Sequence, residues 1–163
     1  MNSIPRSEHP KPQFRRDSWM NLNGQWAFEI DNGRSGKARG LHQADAQFSD
    51  TILVPFCPQS QLSGVNHKDF LYGVWYRRTV DLTKEQLSGR VALHFGAVDY
   101  RCEAFVNGVS VGTHTGGYVS FCFDVTEAVR EGENVLTVYA EDDERDPLIP
   151  RGKQSELFYS HGC

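Results

Sequence analysis

Hydrophobic and polar residues alternate along several short segments of this chain, with the two-residue period of a β-strand that buries one face. In residues 25–30, Trp26, Phe28 and Ile30 alternate with polar or small residues, which predicts a strand with these three side chains in the core. Residues 90–95 repeat the alternation. Further strands are predicted, from β-branched and aromatic content or from flanking turns, at residues 51–54, 74–81, 101–106, 109–111, 119–123 and 134–140.

Two glycine-containing turns place the middle strands side by side. Asn107 and Gly108 both tolerate positive φ and therefore predict a two-residue hairpin turn. Gly116 and Gly117 precede the next strand and allow a sharp return of the chain. Residues 95–126 are accordingly predicted to form a compact antiparallel unit of three strands.

The whole pattern predicts an all-β protein. It contains several short strands, single helical turns at residues 83–87 and 126–130, and no alternation of strands with long helices. An antiparallel sandwich of the jelly-roll type fits this pattern. A chain of 163 residues is accounted for by one domain.

The connecting segments suggest how the chain is organised. Residues 1–14 contain three prolines and are predicted to be an extended arm packed on the domain, which covers residues 15–146. Residues 147–163 are predicted to be an irregular carboxyl-terminal loop. Residues 31–40 are rich in glycine and charge and are predicted to be a solvated loop, because a phosphate-binding loop needs a strand before it and a helix after it. Residues 59–72 are a polar loop, too long for a hairpin turn, and such loops often carry function.

Composition and charge narrow the range of partners. A formal net charge of -4 argues against a surface that binds nucleic acid or an anionic membrane. No apolar segment is long enough for a signal peptide or a membrane span, so a cytoplasmic location is expected. The cysteines lack the spacing of metal or redox pairs and are predicted to be buried thiols, at Cys57, Cys102, Cys122 and Cys163.

The residues offer no complete active site. The densest acidic cluster, at residues 141–146, is predicted to be a solvated loop rather than a pair of glycosidase carboxyl groups or a calcium site. The histidines lack the spacing of metal ligands, and no G-x-S-x-G nucleophile elbow occurs. No metal, cofactor or self-sufficient catalytic centre is therefore expected.

Short motifs spread over most of the chain carry a family resemblance. They are Leu22-Asn-Gly-Gln-Trp-Ala-Phe, Val54-Pro-Phe, Val74-Trp-Tyr-Arg-Arg, Phe95-Gly-Ala-Val-Asp-Tyr, Val106-Asn-Gly, Gly112, His114, Gly116-Gly-Tyr, Phe123-Asp-Val-Thr and Gly132-Glu-Asn. No single motif is diagnostic. In this order and spacing they resemble the amino-terminal sugar-binding domain of family 2 glycoside hydrolases, the β-galactosidase and β-glucuronidase group.

The resemblance implies a galactose-binding-domain-like jelly roll that precedes an immunoglobulin-like domain and a (β/α)₈ barrel, with both catalytic glutamates on the barrel. The full-length parent is then a hydrolase of O-glycosyl bonds and is expected to form a homo-oligomer. The present residues alone lack the catalytic glutamates and are expected to be inactive. In the family a further strand follows the loop after residues 151–154, so the last strand is expected to be missing and a sheet edge to be unpaired.

Two groups of residues are candidates for contact with a β-glycoside. They are Asn66, His67 and Asp69, beside Lys68 in the long loop, and Arg151, Lys153, Gln154 and His161 in the carboxyl-terminal segment. Sugar binding combines planar polar side chains with an aromatic platform, for which Tyr72, Trp75 or Tyr159 are available. Of these three, Trp75 lies in a strand and is expected in the core. The candidate polar residues could instead contact neighbouring domains or water.

Three functions stay open. The favoured hypothesis is a non-catalytic accessory domain that binds sugar at the rim of a β-glycosidase active site. The alternatives are a structural domain that supports the barrel or the oligomer interface without touching sugar, and an autonomous carbohydrate-binding module.

Overall fold

The computed structural model describes residues 4–143 and 145–150, and these form two packed antiparallel β-sheets. The large sheet has six strands in the order β2-β1-β3-β8-β5-β6, and the small sheet pairs β4 with β7. The strands are β1 (Gly24–Ile30), β2 (Asp50–Val54), β3 (Gly73–Leu82), β4 (Ala92–Phe95), β5 (Arg101–Val106), β6 (Val109–Thr115), β7 (Phe121–Asp124) and β8 (Gly132–Glu141). Short 3₁₀ turns occur at Pro12–Phe14 and Gln61–Ser63. The predicted all-β antiparallel sandwich is confirmed.

The predicted strands are found with small shifts at their ends. The largest difference is in β6, which continues to Thr115 rather than to residue 111. β7 begins at Phe121 rather than at residue 119, because residues 116–120 are used by the connection from β6. Residues 83–87 and 126–130 form hydrogen-bonded turns rather than helices. The expected capping pair is nevertheless present, since Thr83 N donates to Gln86 Oε1 at 2.8 Å.

The apolar core lies between the two sheets. Phe28 is fully buried and Trp26 nearly so, while Ile30 packs at the margin, in line with the predicted alternation of β1. The buried members of this core are Trp26, Phe28, Ile52, Leu71, Val74, Tyr76, Val80, Leu93, Val98, Cys102, Ala104, Val106, Val125, Leu136, Val138 and Ala140. Burial of this apolar surface is the main force that holds the small sheet on the large one.

The hairpin of β5 and β6 forms as predicted and carries an irregularity. Asn107 and Gly108 have φ values of 52° and 84°, as the two-residue turn requires. Farther along the hairpin the register shifts beside Gly112. A Cβ atom on Gly112 would lie only 2.4 Å from the Phe123 ring, so the absent side chain lets β7 pack against β6.

The outer face of the large sheet is covered by residues 31–49. A second, smaller apolar cluster forms there from Leu41, Trp75 and Phe105, with Phe48 and Tyr139 at its margin. Trp75 is buried, as expected, but on this outer face rather than between the sheets. Residues 32–35 and 37–39 are exposed, in line with the predicted solvated loop, but the prediction is wrong for Asp31 and Gly36, which are buried.

Asp31 is the residue that anchors the covering segment. The residue is 3% exposed, and its carboxylate accepts hydrogen bonds from Trp75 Nε1 at 2.9 Å, Gly36 N at 2.7 Å and Ser35 N at 2.9 Å. Burial alone would raise the pKa of Asp31, but these hydrogen bonds outweigh it and lower the pKa below its ordinary value. A Cβ atom on Gly36 would lie 2.2 Å from Trp75 Nε1, so only glycine allows this close approach.

The cysteines differ in exposure. Cys102 is buried as predicted, and burial raises the pKa of its thiol to about 12. Cys57 is partly buried, whereas Cys122 is exposed on the small sheet. The prediction of a buried thiol is wrong for Cys122, because the side chains of β7 alternate and this one faces away from the core. Cys163 lies outside the described residues.

The amino-terminal residues contact the sandwich. Asn23 Nδ2 donates to Pro5 O at 3.1 Å, and Lys11 Nζ donates to Ser120 Oγ at 2.7 Å. The predicted boundaries of arm, domain and carboxyl-terminal loop stay predictions, as does the additional strand, which falls outside the described residues. No helix in the described part of the chain is long and apolar enough to span a membrane.

Candidate functional site

Five connecting segments lie at one end of the large sheet. Three of them follow β1, β6 and β8, and the other two precede β3 and β5, because neighbouring strands are antiparallel. Asp142 N donates to Tyr72 O at 3.0 Å, which joins the segment after β8 to the long loop. Tyr100 N donates to Glu141 O at 3.1 Å and Gly116 N to Tyr100 O at 2.8 Å. The loop predicted to contact sugar therefore lies beside the segment that leads toward the carboxyl terminus.

Hydrogen bonds within residues 59–72 shape the long loop. Ser60 caps the 3₁₀ turn, and Ser63 Oγ donates to Ser60 O at 2.7 Å. Lys68 Nζ donates to Gln59 O at 2.7 Å, so its ammonium group closes the loop on itself. The polar composition that suggested a functional loop is thus partly explained by internal hydrogen bonding.

The candidate residues of the loop differ in exposure and in hydrogen bonding. Asn66 is exposed and has a φ of 51°, a left-handed conformation that asparagine tolerates. The backbone N–H of His67 donates to Pro58 O at 2.9 Å, which fixes the position of this residue in the loop. Asp69 is exposed and accepts from Phe70 N at 2.8 Å. The other four candidates, Arg151, Lys153, Gln154 and His161, lie outside the described residues.

Tyr72 joins the loop to the segment after β8. Its hydroxyl donates to the Asp143 carboxylate, and this hydrogen bond raises the pKa of Tyr72. The Arg34 guanidinium lies 3.9 Å from the centre of the Tyr72 ring, and Arg145 lies 4.7 Å from the centre of Phe70. Tyr72 therefore connects the long loop to the segment after β8, and Arg34 packs on one face of its ring. The sequence identified Tyr72 as an aromatic candidate but not the two arginines.

The acidic residues after β8 are not a solvated loop over their whole length. Asp142 is 3% exposed. Glu141 accepts from the Tyr139 hydroxyl at 2.9 Å and lies 3.7 Å from Arg34 Nη2. The prediction is wrong for this part of the cluster, because its partners arrive from distant parts of the chain. Among residues 4–143 and 145–150, no three potential metal ligands converge.

Asp99 is a titratable group that the sequence did not single out. Burial, with a contribution from the nearby charge of Asp142, raises the pKa of Asp99 to about 6. A Cβ atom on Gly117 would lie 2.1 Å from Asp99 Oδ1, so this glycine is required by close packing. The neighbouring Gly116 has a φ of 126°, which agrees with the backbone role predicted for the turn.

A cleft of about 360 Å³ opens on the outer face of the large sheet. It lies between residues 31–37 and the strands β5, β6 and β8. Lys37 pairs with Glu103 across it. Arg34 contributes to both the cleft and the Tyr72 contacts, so the two features adjoin.

Comparison with known protein families gives one match that covers most of the chain. The family described as glycosyl hydrolases family 2, sugar binding domain, matches residues 19–143, a range that includes all eight strands and the long loop. Because the match covers most of the chain, the protein belongs to this family. The resemblance drawn from the sequence motifs is confirmed.

Relatives and solved structures include both glucuronidases and galactosidases. The chain is 26% identical over 145 residues to a beta-glucuronidase of Paenibacillus borealis, across 88% of this chain and 24% of that protein. It is 33% identical over 130 residues to a beta-galactosidase of an Arthrobacter species, across 77% of this chain and 11% of that protein. The solved beta-glucuronidase of Lactobacillus rhamnosus matches with a TM-score of 0.68 at 27% identity, across 76% of this chain and 21% of that one. The chain therefore spans at most about a quarter of the length of these proteins.

Proposed function

We propose that this chain is the non-catalytic sugar-binding domain of a β-glycosidase and that residues 66–72 contribute to the rim that holds the substrate. The supporting observation is the junction at Tyr72, whose carbonyl and hydroxyl both bond to the segment after β8. Asn66 and Asp69 precede this junction in the loop, and both are exposed. Amide and carboxylate groups held in this way can bond sugar hydroxyls from a fixed position.

The parent protein is proposed to hydrolyse O-glycosyl bonds as a β-glucuronidase or β-galactosidase, the activities that the names of its relatives give. Its catalytic glutamates are assigned to a downstream barrel that follows an immunoglobulin-like domain. The isolated chain is expected to be inactive. In support, Glu141 and Asp143 are engaged by Tyr139 and Tyr72 rather than free to act on a sugar.

The rim role is tested in the full-length protein with the double substitution Asn66→Ala and Asp69→Ala. Loss of one or two hydrogen bonds to substrate is expected to raise KM about five- to tenfold for a nitrophenyl β-glucuronide or β-galactoside. Glu127→Ala, an exposed substitution in the connection between β7 and β8, serves as the matched control. Unchanged KM and kcat in the double variant would remove support for the rim role.

A structural role is the second candidate. Tyr118 is 65% exposed and Val119 is 62% exposed in the connection between β6 and β7. Leu148, in the segment after β8, is 85% exposed. Exposed apolar side chains of this kind often mark an interface, here with the barrel or another subunit of a homo-oligomer. Under this hypothesis, Tyr118→Ser with Val119→Ser shifts the parent oligomer toward smaller species in sedimentation, whereas the loop variant leaves the oligomer intact.

The remaining hypotheses have their own measurements. An autonomous carbohydrate-binding module requires that the isolated chain bind galactosides or glucuronides without a barrel, which calorimetric titration measures. A carbohydrate is the proposed partner both of the rim domain and of an autonomous module. Nucleic acid and membranes are not expected from the net charge of -4, and the cytoplasmic location stays a prediction.

A further inference from the structure

The turn that follows β1 bonds to the end of the long loop. Asp31 N donates to Gly73 O at 2.8 Å, which aligns the turn with the start of β3. Beside it, the Asn32 side chain accepts from Tyr72 N at 2.8 Å and donates, over a longer 3.5 Å, to Phe70 O. Asparagine side chains commonly satisfy backbone groups in this way. Asn32 therefore holds the end of the loop by its main chain, from 38 to 40 residues away in the sequence.

Arg34, in the same turn, holds the loop by a side chain. Its guanidinium carbon lies 3.9 Å from the centre of the Tyr72 ring. Its Nη2 lies 3.7 Å from Glu141 Oε1 and 3.8 Å from Asp143 Oδ2, the carboxylate to which the Tyr72 hydroxyl donates. The negative ring face attracts the guanidinium, and the two carboxylates favour its charge in this position. The Tyr72 ring is thus held at its face by Arg34 and at its hydroxyl by Asp143.

These contacts differ in kind from the bonds inside the loop. Hydrogen bonds from His67 and Lys68 close the loop on the segment that begins it and so set its shape. The turn after β1 instead attaches the loop to the large sheet. Asn66 and Asp69, the exposed loop residues proposed to lie at the rim, depend on both. Because a displacement of about 1 Å in a substrate-positioning group can cost about a hundredfold in rate, such an attachment matters for function.

We propose that Asn32 and Arg34 are positioning residues for the rim loop, residues 66–72, which they hold against the sheet through Phe70 and Tyr72. Neither is assigned a contact with substrate, and their effect is transmitted by the loop. The inference rests on the proposed rim role and adds to it a control of the loop by the segment that covers the outer face of the sheet. A change in that segment is expected to alter substrate affinity without altering the chemical step.

The attachment itself is tested by amide hydrogen exchange in the 163-residue chain. Asn32→Ala removes the acceptor of Tyr72 N and is expected to speed exchange at Tyr72 about five- to tenfold. Asn32→Asp keeps an oxygen acceptor and is expected to retain the protection. Lys37→Gln, at an exposed cation of the same covering segment that pairs with Glu103, is the matched control and should leave exchange at Tyr72 unchanged. Unchanged exchange at Tyr72 in Asn32→Ala would overturn the attachment.

The effect on function is tested by the kinetics of the full-length protein with a nitrophenyl β-glucuronide or β-galactoside. Asn32→Ala with Arg34→Gln is expected to raise KM about three- to fivefold and to change kcat by less than about twofold. Lys37→Gln should leave both constants unchanged. In a protein that already carries Asn66→Ala with Asp69→Ala, the same pair of substitutions is expected to have no further effect on KM, because the loop no longer carries the groups that it positions.

The outcomes separate this inference from the rim role. If KM is unchanged in the double variant of Asn66 and Asp69, the rim role fails and the positioning role fails with it. If KM rises in that variant but not in Asn32→Ala with Arg34→Gln, the rim role stands and the positioning role is overturned. A full additional rise in KM when the two pairs are combined, or a fall in kcat at unchanged KM, would show that Asn32 and Arg34 act by a route other than the loop and would also overturn it.

Discussion

The two faces of the large sheet are buried by different means. On the inner face, Phe28 and Ile52 are fully buried among apolar neighbours. On the outer face, Trp75 is as deeply buried, but its indole N–H bonds to Asp31, and Lys37 pairs with Glu103 beside it. The inner face thus depends on apolar area, and the outer face on a smaller apolar cluster together with a few oriented polar contacts. Acid and salt are therefore expected to act mainly on the outer face.

The largest effect is expected from Phe28→Ala on the inner face. Removal of this fully buried ring leaves a cavity and is expected to lower the free energy of unfolding by about 3–5 kcal/mol. Urea unfolding followed by fluorescence measures the change. A loss of less than about 1 kcal/mol would indicate that Phe28 is not tightly packed by the surrounding core.

The next effect is expected from Asp31→Asn on the outer face. The amide cannot replace every carboxylate hydrogen bond to Trp75, Gly36 and Ser35, so the free energy of unfolding should fall by about 2 kcal/mol near neutral pH. Because the folded state lowers the pKa of Asp31, its stabilisation exists above the ordinary pKa near 3.8 and is lost as pH falls through the lower folded pKa. Thermal unfolding across pH should show the variant and wild type converging in acid. Asp45→Asn, at an exposed site on the same covering segment, is the control.

The third effect is expected from Asp99→Asn, in the connection between β4 and β5. Burial raises the pKa of Asp99 to about 6, so stability falls as pH rises from the ordinary pKa near 3.8 to about 6 and is then constant. Removal of the charge should raise the free energy of unfolding by about 1–2 kcal/mol above pH 6 and have no effect below about pH 4, after allowance for partial exposure. Denaturant titrations at several pH values measure the difference. A loss of stability at neutral pH would instead point to a hydrogen bond made by the ionised carboxylate.

The smallest effect is expected from Lys37→Gln. The side chain of Lys37 is 56% exposed, and surface ion pairs contribute about 0.2–1 kcal/mol. The difference from wild type should shrink between about 50 mM and about 500 mM salt, since salt screens the pair. An effect that equals that of Asp31→Asn would mean that the outer face is held by ion pairs rather than by its buried anchor.

The sequence was informative where structure depends on local pattern. The period of two in β1 placed Phe28 in the core, and the φ tolerance of Asn107 and Gly108 placed the hairpin turn. It was not informative where a residue depends on a distant partner. Asp31 is buried because it bonds to Trp75, which is 44 residues away in the sequence. The glycine-rich residues around Asp31 carry no sign of this contact and were interpreted as a solvated loop.

The same limit applies to the candidate site. Asn66 and Asp69 were identified because a long polar loop is visible in the sequence, and both are exposed in the structure. Arg34 and Arg145 were missed because nothing local to an arginine shows that an aromatic ring from another segment will pack on it. The shifted pKa of Asp99 was missed for the same reason, since it arises from burial and from a carboxylate on another segment.

The packing of Phe123 on Gly112 also bears on the tendency of the chain to aggregate. Gly112 is paired with Ala104 of the core, so Phe123 packs on the inner face of β6 and does not cover its backbone edge, which is unpaired among the described strands. At the opposite edge, β2 is paired only with β1 among the described strands and consists of five residues, Asp50–Val54, followed by Pro55. Intermolecular strand addition is therefore expected at β6 rather than at β2, where the short length and the following proline keep the available template small.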